Sequence, residues 1–294
     1  MNEIYGIVPP TTTPFTSGGQ VDEVALKEDV RYLIEVAGVH GVAVCGSTGE
    51  GHTLTTDETY RITACAVEES GGRIPVITGI ITDSTQSAIE RGQAVAGLGI
   101  KALQVTPVHY LFRPSDGAMI DHFARIAEGT GLPVIIYNVI PWTYLSPELL
   151  TRIITQVEGV IGVKQSAGDM KLLADLLLLL GDRGCIMSAV DALLYPSFLL
   201  GAHGAIAAIL TAAPKLCVQL WEAVGNGNYE TARSLHDLLL PIWNAISDDN
   251  LPANVKYVMQ LQGRASGKSR LPMPETNQQQ KEIIKRALLS AALI

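Results

Sequence analysis

Within this 294-residue sequence, the run Val160-Ile-Gly-Val-Lys-Gln-Ser166 holds the side chain best suited to covalent chemistry. Alternation along a strand sets Ile161 and Val163 on one face and Gly162, Lys164 and Ser166 on the other. The apolar face suits covering helices, so Lys164 is expected to project from the other face, into the interior of a barrel near its upper rim. An amine placed there is costly without a task or a partner. Desolvation favours a neutral amine over an ammonium, and the neutral amine is the form that condenses with a ketone. The alternative is a lysine at a strand end that snorkels to solvent, and periodicity alone does not separate the two.

Two further stretches could serve such an amine. Gly46-Ser-Thr-Gly-Glu50 offers two hydroxyls and several N–H groups in a Gly-flanked turn, a means of holding a carboxylate without a formal cation. It could equally be an ordinary strand-to-helix turn. Tyr137-Asn138 ends another β-branched run, and a phenol there could move protons or simply cap a core with its hydroxyl in water. Of the six histidines, His109 and His52 fall in loops on the same side as these groups. His109 sits in Pro107-Val-His-Tyr-Leu-Phe-Arg-Pro114, which mixes aromatic and basic residues. No pair of histidines and carboxylates has metal-ligand spacing, so no metal is expected and a metal-dependent aldolase is disfavoured.

The bulk composition narrows the partners. There are 21 basic and 29 acidic residues, a net charge of −8, and no basic stripe, so nucleic acid is not an expected partner. An acidic protein acting on an anion must attract it locally, with aimed dipoles or a buried cation. Cys45, Cys65, Cys185 and Cys217 are scattered without a CxxC pair, and three lie in apolar surroundings. They read as buried free thiols in a reducing compartment. The N-terminal MNEIYGIVPP lacks the pattern of a signal peptide, and the apolar run at 172–180 is too short to span a membrane. A soluble, cytoplasmic protein with no membrane partner is expected.

Short β-branched runs alternate with amphipathic ones, the pattern of βα units around a parallel sheet. Strands are predicted at 6–12, 41–45, 75–79, 102–106, 133–138, 160–165, 185–189 and 204–208. Helices opening on Ser, Thr or Asp are predicted at 22–35, 56–69, 84–96, 115–129, 146–156 and 169–180, with shorter ones at 191–200 and 213–224. This alternation predicts a TIM (β/α)₈ barrel over residues 1–226. A doubly wound open sheet is the competing architecture, but VPPTTTPF after the first strand is no Gly-rich phosphate turn. Residues 227–294 show no strand pattern and read as a small helical domain, with helices at 229–246, 252–261 and 275–293. In a barrel, reactive residues lie at the C-terminal ends of strands, where Lys164, Tyr137 and the GSTGE turn all fall.

GSTGE after the second strand, YN after the fifth and GVKQSAGD at the sixth, in that order, resemble the dihydrodipicolinate synthase/N-acetylneuraminate lyase family. The likeness runs from TPF at 13–15 through DALLYPSFLLGAHGAIAAI into the helical C-terminal segment. It implies a TIM barrel with a C-terminal helical domain, assembled as a homotetramer built from two dimers. It also implies class I aldolase or lyase chemistry through a lysine imine with pyruvate or a related 2-oxo acid, with no other cofactor. By position Lys164 matches the imine-forming lysine and Tyr137 the proton-relaying tyrosine. Ser47 and Thr48 match the hydroxyl pair that holds the oxo-acid carboxylate and joins the relay. Ile206 matches the residue whose backbone carbonyl lies near the lysine, and Glu50 reads as structural.

The departures concern the second substrate. Trp142 stands where the synthases carry an Arg that grips the carboxylate of aspartate semialdehyde, and losing that clamp weakens such binding. Tyr110 is the best match to a tyrosine that reaches into a neighbouring subunit's site. His109 and Arg113 are placed to read a different substrate. Thr56 and Thr59 replace the histidines of a lysine-feedback site. The leading expectation is an aldolase or lyase acting on an unidentified aldehyde. The rivals are a dihydrodipicolinate synthase, a 2-oxo-3-deoxy sugar acid dehydratase, and a non-catalytic 2-oxo acid sensor or scaffold.

Overall fold

The computed structural model describes residues 4–294. In chain order the barrel elements are β1 (Gly6–Ile7), α1 (Glu23–Glu35), β2 (Val42–Val44), α2 (Thr56–Ser70), β3 (Val76–Ile80), α3 (Thr85–Val95), β4 (Ala102–Val105) and α4 (Asp116–Thr130). There follow β5 (Val134–Asn138), α5 (Pro147–Gln156), β6 (Val160–Gln165), α6 (Met170–Leu180), β7 (Cys185–Ser188), α7 (Leu194–Leu199) and β8 (Gly204–Ala205). The chain ends in α8 (Ile209–Ala212), α9 (Pro214–Gly225), α10 (Tyr229–Ile246), α11 (Leu251–Leu261) and α12 (Gln278–Ser290). The strands are all parallel and ordered β1-β8-β7-β6-β5-β4-β3-β2. A parallel bridge between Pro10 and Ala43 closes the ring. There Ala43 N–H donates to Pro9 O at 3.0 Å and Thr11 N–H to Ala43 O at 2.9 Å. The TIM barrel is thus the architecture, as its alternating pattern predicts.

Differences from expectation have local causes. The first strand was expected over 6–12, but its regular ladder stops at Ile7, because Pro9 and Pro10 have no N–H to donate. The last helix starts at Gln278 rather than 275, where Asn277 and Gln280 form a capping box after Pro274. The starts of α1 to α6 are set by side chains that accept from first-turn N–H groups, Asp22, Thr55, Ser84, Ser115, Ser146 and Asp169, whereas α7, α8, α9 and α11 have no such cap.

One correction bears on the site. Val134 pairs with Val160 but Ile135 pairs with Gly162, so β6 carries one extra residue, Ile161, as a bulge. Ile161 packs with the interior cluster of Ile77, Ile135, Met187 and Ile206, whereas Val163 packs outward among the helices. The two residues therefore do not share a face, and strict alternation holds only beyond the bulge. Gly162 is required here, since a Cβ would stand 2.1 Å from the Cys185 carbonyl oxygen.

The C-terminal helices dock on the barrel instead of standing apart from it. Helix α10 lies on α9 and α7, and α12 lies across α10 and α11. Two buried ion pairs fasten this segment to the barrel: Arg264 to Asp29 of α1 at 2.7 Å, and Lys256 of α11 to Glu50 at 2.6 Å.

Candidate active site

β5 and β6 set the chemistry in register, with Tyr137 directly beside Lys164. Lys164 is 3% exposed, and its Nζ lies 3.8 Å from the centroid of the Tyr137 ring. No side-chain or backbone oxygen among the described residues accepts a hydrogen bond from that nitrogen. Tyr137 O–H donates to Ser47 Oγ at 3.0 Å, which ties the phenol to the turn after β2. Amine, phenol and hydroxyl thus form one contiguous set assembled from three strand ends.

The GSTGE turn is held from behind. Glu50 N–H donates to Ser47 O at 3.0 Å and Gly51 N–H to Gly46 O at 3.0 Å. A Cβ at Gly51 would meet the Cys45 carbonyl oxygen at 1.9 Å, so no other residue fits that position. Glu50 is fully buried: Oε1 accepts from Lys256 Nζ at 2.6 Å and Oε2 from Arg270 N–H at 2.8 Å. Both carboxylate oxygens are thus committed to pinning the turn, which leaves Glu50 a structural anchor. Asn138 is likewise structural. Its amide donates to Leu145 O and Gln165 Oε1, and its Oδ1 accepts from Leu145 N–H, fixing the loop after β5.

Ser47, Thr48, Tyr137, Lys164 and Ile206 all line one cavity of about 580 Å³ at the C-terminal ends of the strands. Among the described residues Lys164 is the only Lys or Arg in its lining. The loop residues His109, Tyr110, Arg113 and Trp142 do not line it, and hydrogen bonds join three of them, His109, Tyr110 and Trp142, in a separate cluster. Trp142 Nε1–H donates to His109 O at 2.8 Å, and Asp83 Oδ1 accepts from the N–H groups of His109 and Tyr110 at 3.3 and 3.0 Å. Tyr110, Leu111, Phe112 and Trp142 there present a large apolar surface to solvent, with Phe112 77% exposed.

Other cavity residues were not singled out from sequence. Asp191 lines the cavity and accepts Ile209 N–H at 2.8 Å. Burial pushes its carboxyl up to about 6, against the opposing backbone N–H groups and the charge of Lys164. Trp243, Leu251, Pro252 and Met273, from the C-terminal segment, close one side. A signal for Asp191 existed in a lone carboxylate following the strand run at 185–189. For the C-terminal wall there was none, since an apolar residue on a docked helix looks the same whether it meets a core or a cavity. His52, noted among the loop histidines, also lines the space. All four cysteines are free and buried, and burial raises the Cys45 thiol to about 12, so it is inert. Among the described residues no group of His, Cys, Asp and Glu is placed to hold a metal ion.

Comparison with known proteins gives concordant results. The model of the Dihydrodipicolinate synthetase family matches residues 3–291. A 4-hydroxy-tetrahydrodipicolinate synthase of Methanopyrus kandleri is 35% identical, over 99% of this chain and 98% of that one. A chloride-inhibited dihydrodipicolinate synthase from Acinetobacter baumannii, solved in complex with pyruvate, superposes with a TM-score of 0.94 at 28% identity, covering 99% of this chain and 100% of the other. CdNal from Clostridium difficile, solved in complex with mannosamine, gives 0.89 at 25% identity, over 98% and 99% of the two chains.

Proposed function

Since the chain belongs to the dihydrodipicolinate synthetase family and is a class I aldolase of the lyase type, we propose that Lys164 forms its imine with pyruvate or a close 2-oxo acid. The observation carrying this assignment is the buried Lys164 amine, free of any acceptor, against a Tyr137 whose hydroxyl is joined to Ser47. The amine adds to the ketone carbon, and the carbinolamine oxygen leaves as water after taking a proton relayed through Tyr137. Loss of a proton from the neighbouring carbon turns the protonated imine into an enamine. The enamine carbon then bonds to the aldehyde carbon, or in reverse that bond breaks. Ser47 and Thr48 with the turn's N–H groups would hold the oxo-acid carboxylate, and the Ile206 carbonyl would face the imine. No cofactor beyond this covalent imine is needed.

For the second substrate we favour an aldehyde without a carboxylate, because among the described residues no Lys or Arg besides Lys164 lines the cavity. The synthase relatives support the rival, aspartate semialdehyde. A direct assay separates them: robust turnover of aspartate semialdehyde would overturn the preference. The exposed patch of Tyr110, Leu111, Phe112 and Trp142 supports a homotetramer, with this loop at a subunit contact and His109, Tyr110, Arg113 and Trp142 shaping the entrance. Sedimentation of a Phe112→Asp variant should show dissociation. The absence of a helix long and apolar enough to cross a membrane among the described residues, with four free thiols, is consistent with a cytoplasmic enzyme. We retain 1–226 and 227–294 as its two domains.

The central test is trapping. Pyruvate with borohydride should add one reduced pyruvate per chain by intact mass, and Lys164→Ala should add none. No adduct on the unaltered chain, or an equal one on the variant, would sink the mechanism.

A further inference from the structure

The cavity that holds Lys164 has two unlike parts. Ser47, Thr48, Tyr137 and Lys164 supply polar groups from the strand ends, where the oxo acid is placed. The remaining lining is mostly apolar: Val139 follows β5, Val190 and Leu193 follow β7, and Trp243, Leu251 and Met273 come from the C-terminal segment. The last three are half-buried, so part of each remains uncovered by the core. Apolar side chains turned to a concave space are a standing cost in water, relieved when an apolar body covers them.

Three polar side chains interrupt this wall, and they offer little to a hydroxylated or charged partner. The Ser166 hydroxyl oxygen is buried away from the space. His52 is exposed to solvent. Asp191 commits Oδ1 to the Ile209 N–H at 2.8 Å, and its charge repels a second carboxylate. A sugar-like aldehyde would therefore give up hydrogen bonds to water for contact with carbon.

We propose that the second substrate is an apolar aldehyde bearing an aromatic ring, and that Trp243, Leu251 and Met273 select it. The inference deepens the imine reading and rests on it. Two members of the wall favour a ring over an alkyl chain. The Trp243 indole attracts a second ring in stacked or edge-on contact, and the Met273 thioether attracts ring edges. The size agrees: about 150 Å³ is enough to hold benzene, and the cavity has about 580 Å³ for ring and oxo acid together. In the synthetic direction the enamine carbon bonds to the aldehyde carbon, and the aldehyde oxygen takes up a proton to become a hydroxyl. Hydrolysis of the imine then frees Lys164 and a 4-aryl-4-hydroxy-2-oxo acid. Pyruvate and aldehyde are consumed one for one, and the water used is the water released when the imine formed.

The test compares kcat/KM for benzaldehyde, D-glyceraldehyde and succinic semialdehyde at saturating pyruvate, by chromatography of the products. Benzaldehyde should lead both others by at least about tenfold, the scale on which an apolar pocket discriminates. Its carbonyl is the least electrophilic of the three, so a lead reports binding and not reactivity. Met273→Lys should lower the value for benzaldehyde and raise that for succinic semialdehyde, a gain that misfolding does not produce. Trp243→Leu keeps an apolar side chain and should raise KM for benzaldehyde more than for hexanal. Equal losses on those two would overturn selection of the ring by the indole. A lead for glyceraldehyde or succinic semialdehyde in the unaltered chain would overturn the proposal, as would an order of preference that Met273→Lys leaves unmoved. Borohydride trapping with pyruvate on the same samples keeps the two readings apart. An adduct without benzaldehyde turnover defeats this inference alone, whereas no adduct defeats the imine.

Discussion

Lys164 and Lys256 are buried to the same degree, 3% and 2% exposed, yet their surroundings share almost nothing. Lys256 is saturated by the Glu50 carboxylate and the Lys268 carbonyl, and it lies 4.9 Å from the centroid of the Phe15 ring. Burial pulls its pKa down, and the neighbouring Glu50 charge works against that pull. Lys164 has an aromatic face beside it, the field of Asp191, and no acceptor among the described residues. A protein holds a buried ammonium by pairing it and leaves a buried amine unpaired only where something else must reach it. The two sites flank the same turn, so the contrast is not one of overall environment. It lies in which acceptors the chain brings within reach.

Replacing each lysine should break the comparison in opposite ways. Lys164→Ala is expected to lower turnover on the order of 10⁴-fold or more, the scale on which loss of a covalent nucleophile is felt. It should leave the urea midpoint unchanged or raised, since an unpaired buried amine is removed. Lys256→Met should do the reverse. It strands the fully buried Glu50, so unfolding free energy should fall by about 3–5 kcal/mol, while imine trapping persists below the melting temperature. Pairing Lys256→Met with Glu50→Gln should recover part of that loss. If both single variants lose stability alike, the distinction between paired and unpaired lysine fails.

A smaller effect tests the company that Lys164 keeps. Tyr137→Phe retains the ring beneath the amine and deletes the hydroxyl that donates to Ser47. Turnover should fall about 10²- to 10³-fold, with imine trapping slowed but not abolished, as for loss of a proton relay. Ser47→Ala should raise KM more than it lowers kcat, because it removes a carboxylate contact along with one end of that relay. Equal effects of Tyr137→Phe and Ser47→Ala on KM alone would argue against proton transfer through the phenol.

The unpaired lysine was legible from sequence and its paired counterpart was not, for a physical reason. Lys164 sits on a β-branched run whose period fixes direction, and its inward placement survives even the bulge at Ile161. Lys256 lies in a helix, and its partner Glu50 stands 206 residues away, a pairing that no local pattern encodes. The same holds for Asp29 with Arg264, and for Trp243 and Met273 at the cavity wall. Helix starts were readable because a cap and its helix are neighbours in sequence. The ends of β1 and β8 were not, because ring closure is decided by the partner strand. His109, Arg113 and Trp142 were drawn to the site by their types, yet none of them lines the cavity, and hydrogen bonds tie His109 to Trp142 and Asp83 instead.

The smallest expected effect concerns acid, where a cavity group and an outer-layer group oppose each other. Asp191 faces the cavity, and burial raises its carboxyl to about 6 from 3.8. A raised folded value favours the protonated state, so its contribution is present below 3.8 and lost as pH rises through about 6. His122 lies on α4 beside Thr85 Oγ1, 2.9 Å from Nδ1, and burial lowers its pKa to about 4 from 6.5. Its contribution is present above 6.5 and lost as pH falls through about 4. The two correspond to at most about 3 kcal/mol for Asp191 and about 3.5 kcal/mol for His122, and they largely cancel between pH 4 and 6. Asp191 as a whole is only partly shielded, whereas His122 is 4% exposed, so the histidine should win. Urea midpoints should therefore decline only slightly from pH 6.5 to about 4 in the unaltered chain, and more steeply in Asp191→Asn. His122→Asn should invert the slope, making the protein more stable on the acid side. An Asp191→Asn profile parallel to that of the unaltered chain would mean that the Asp191 carboxyl titrates as if in water, and that the cavity floor is wetter than the barrel packing around it implies.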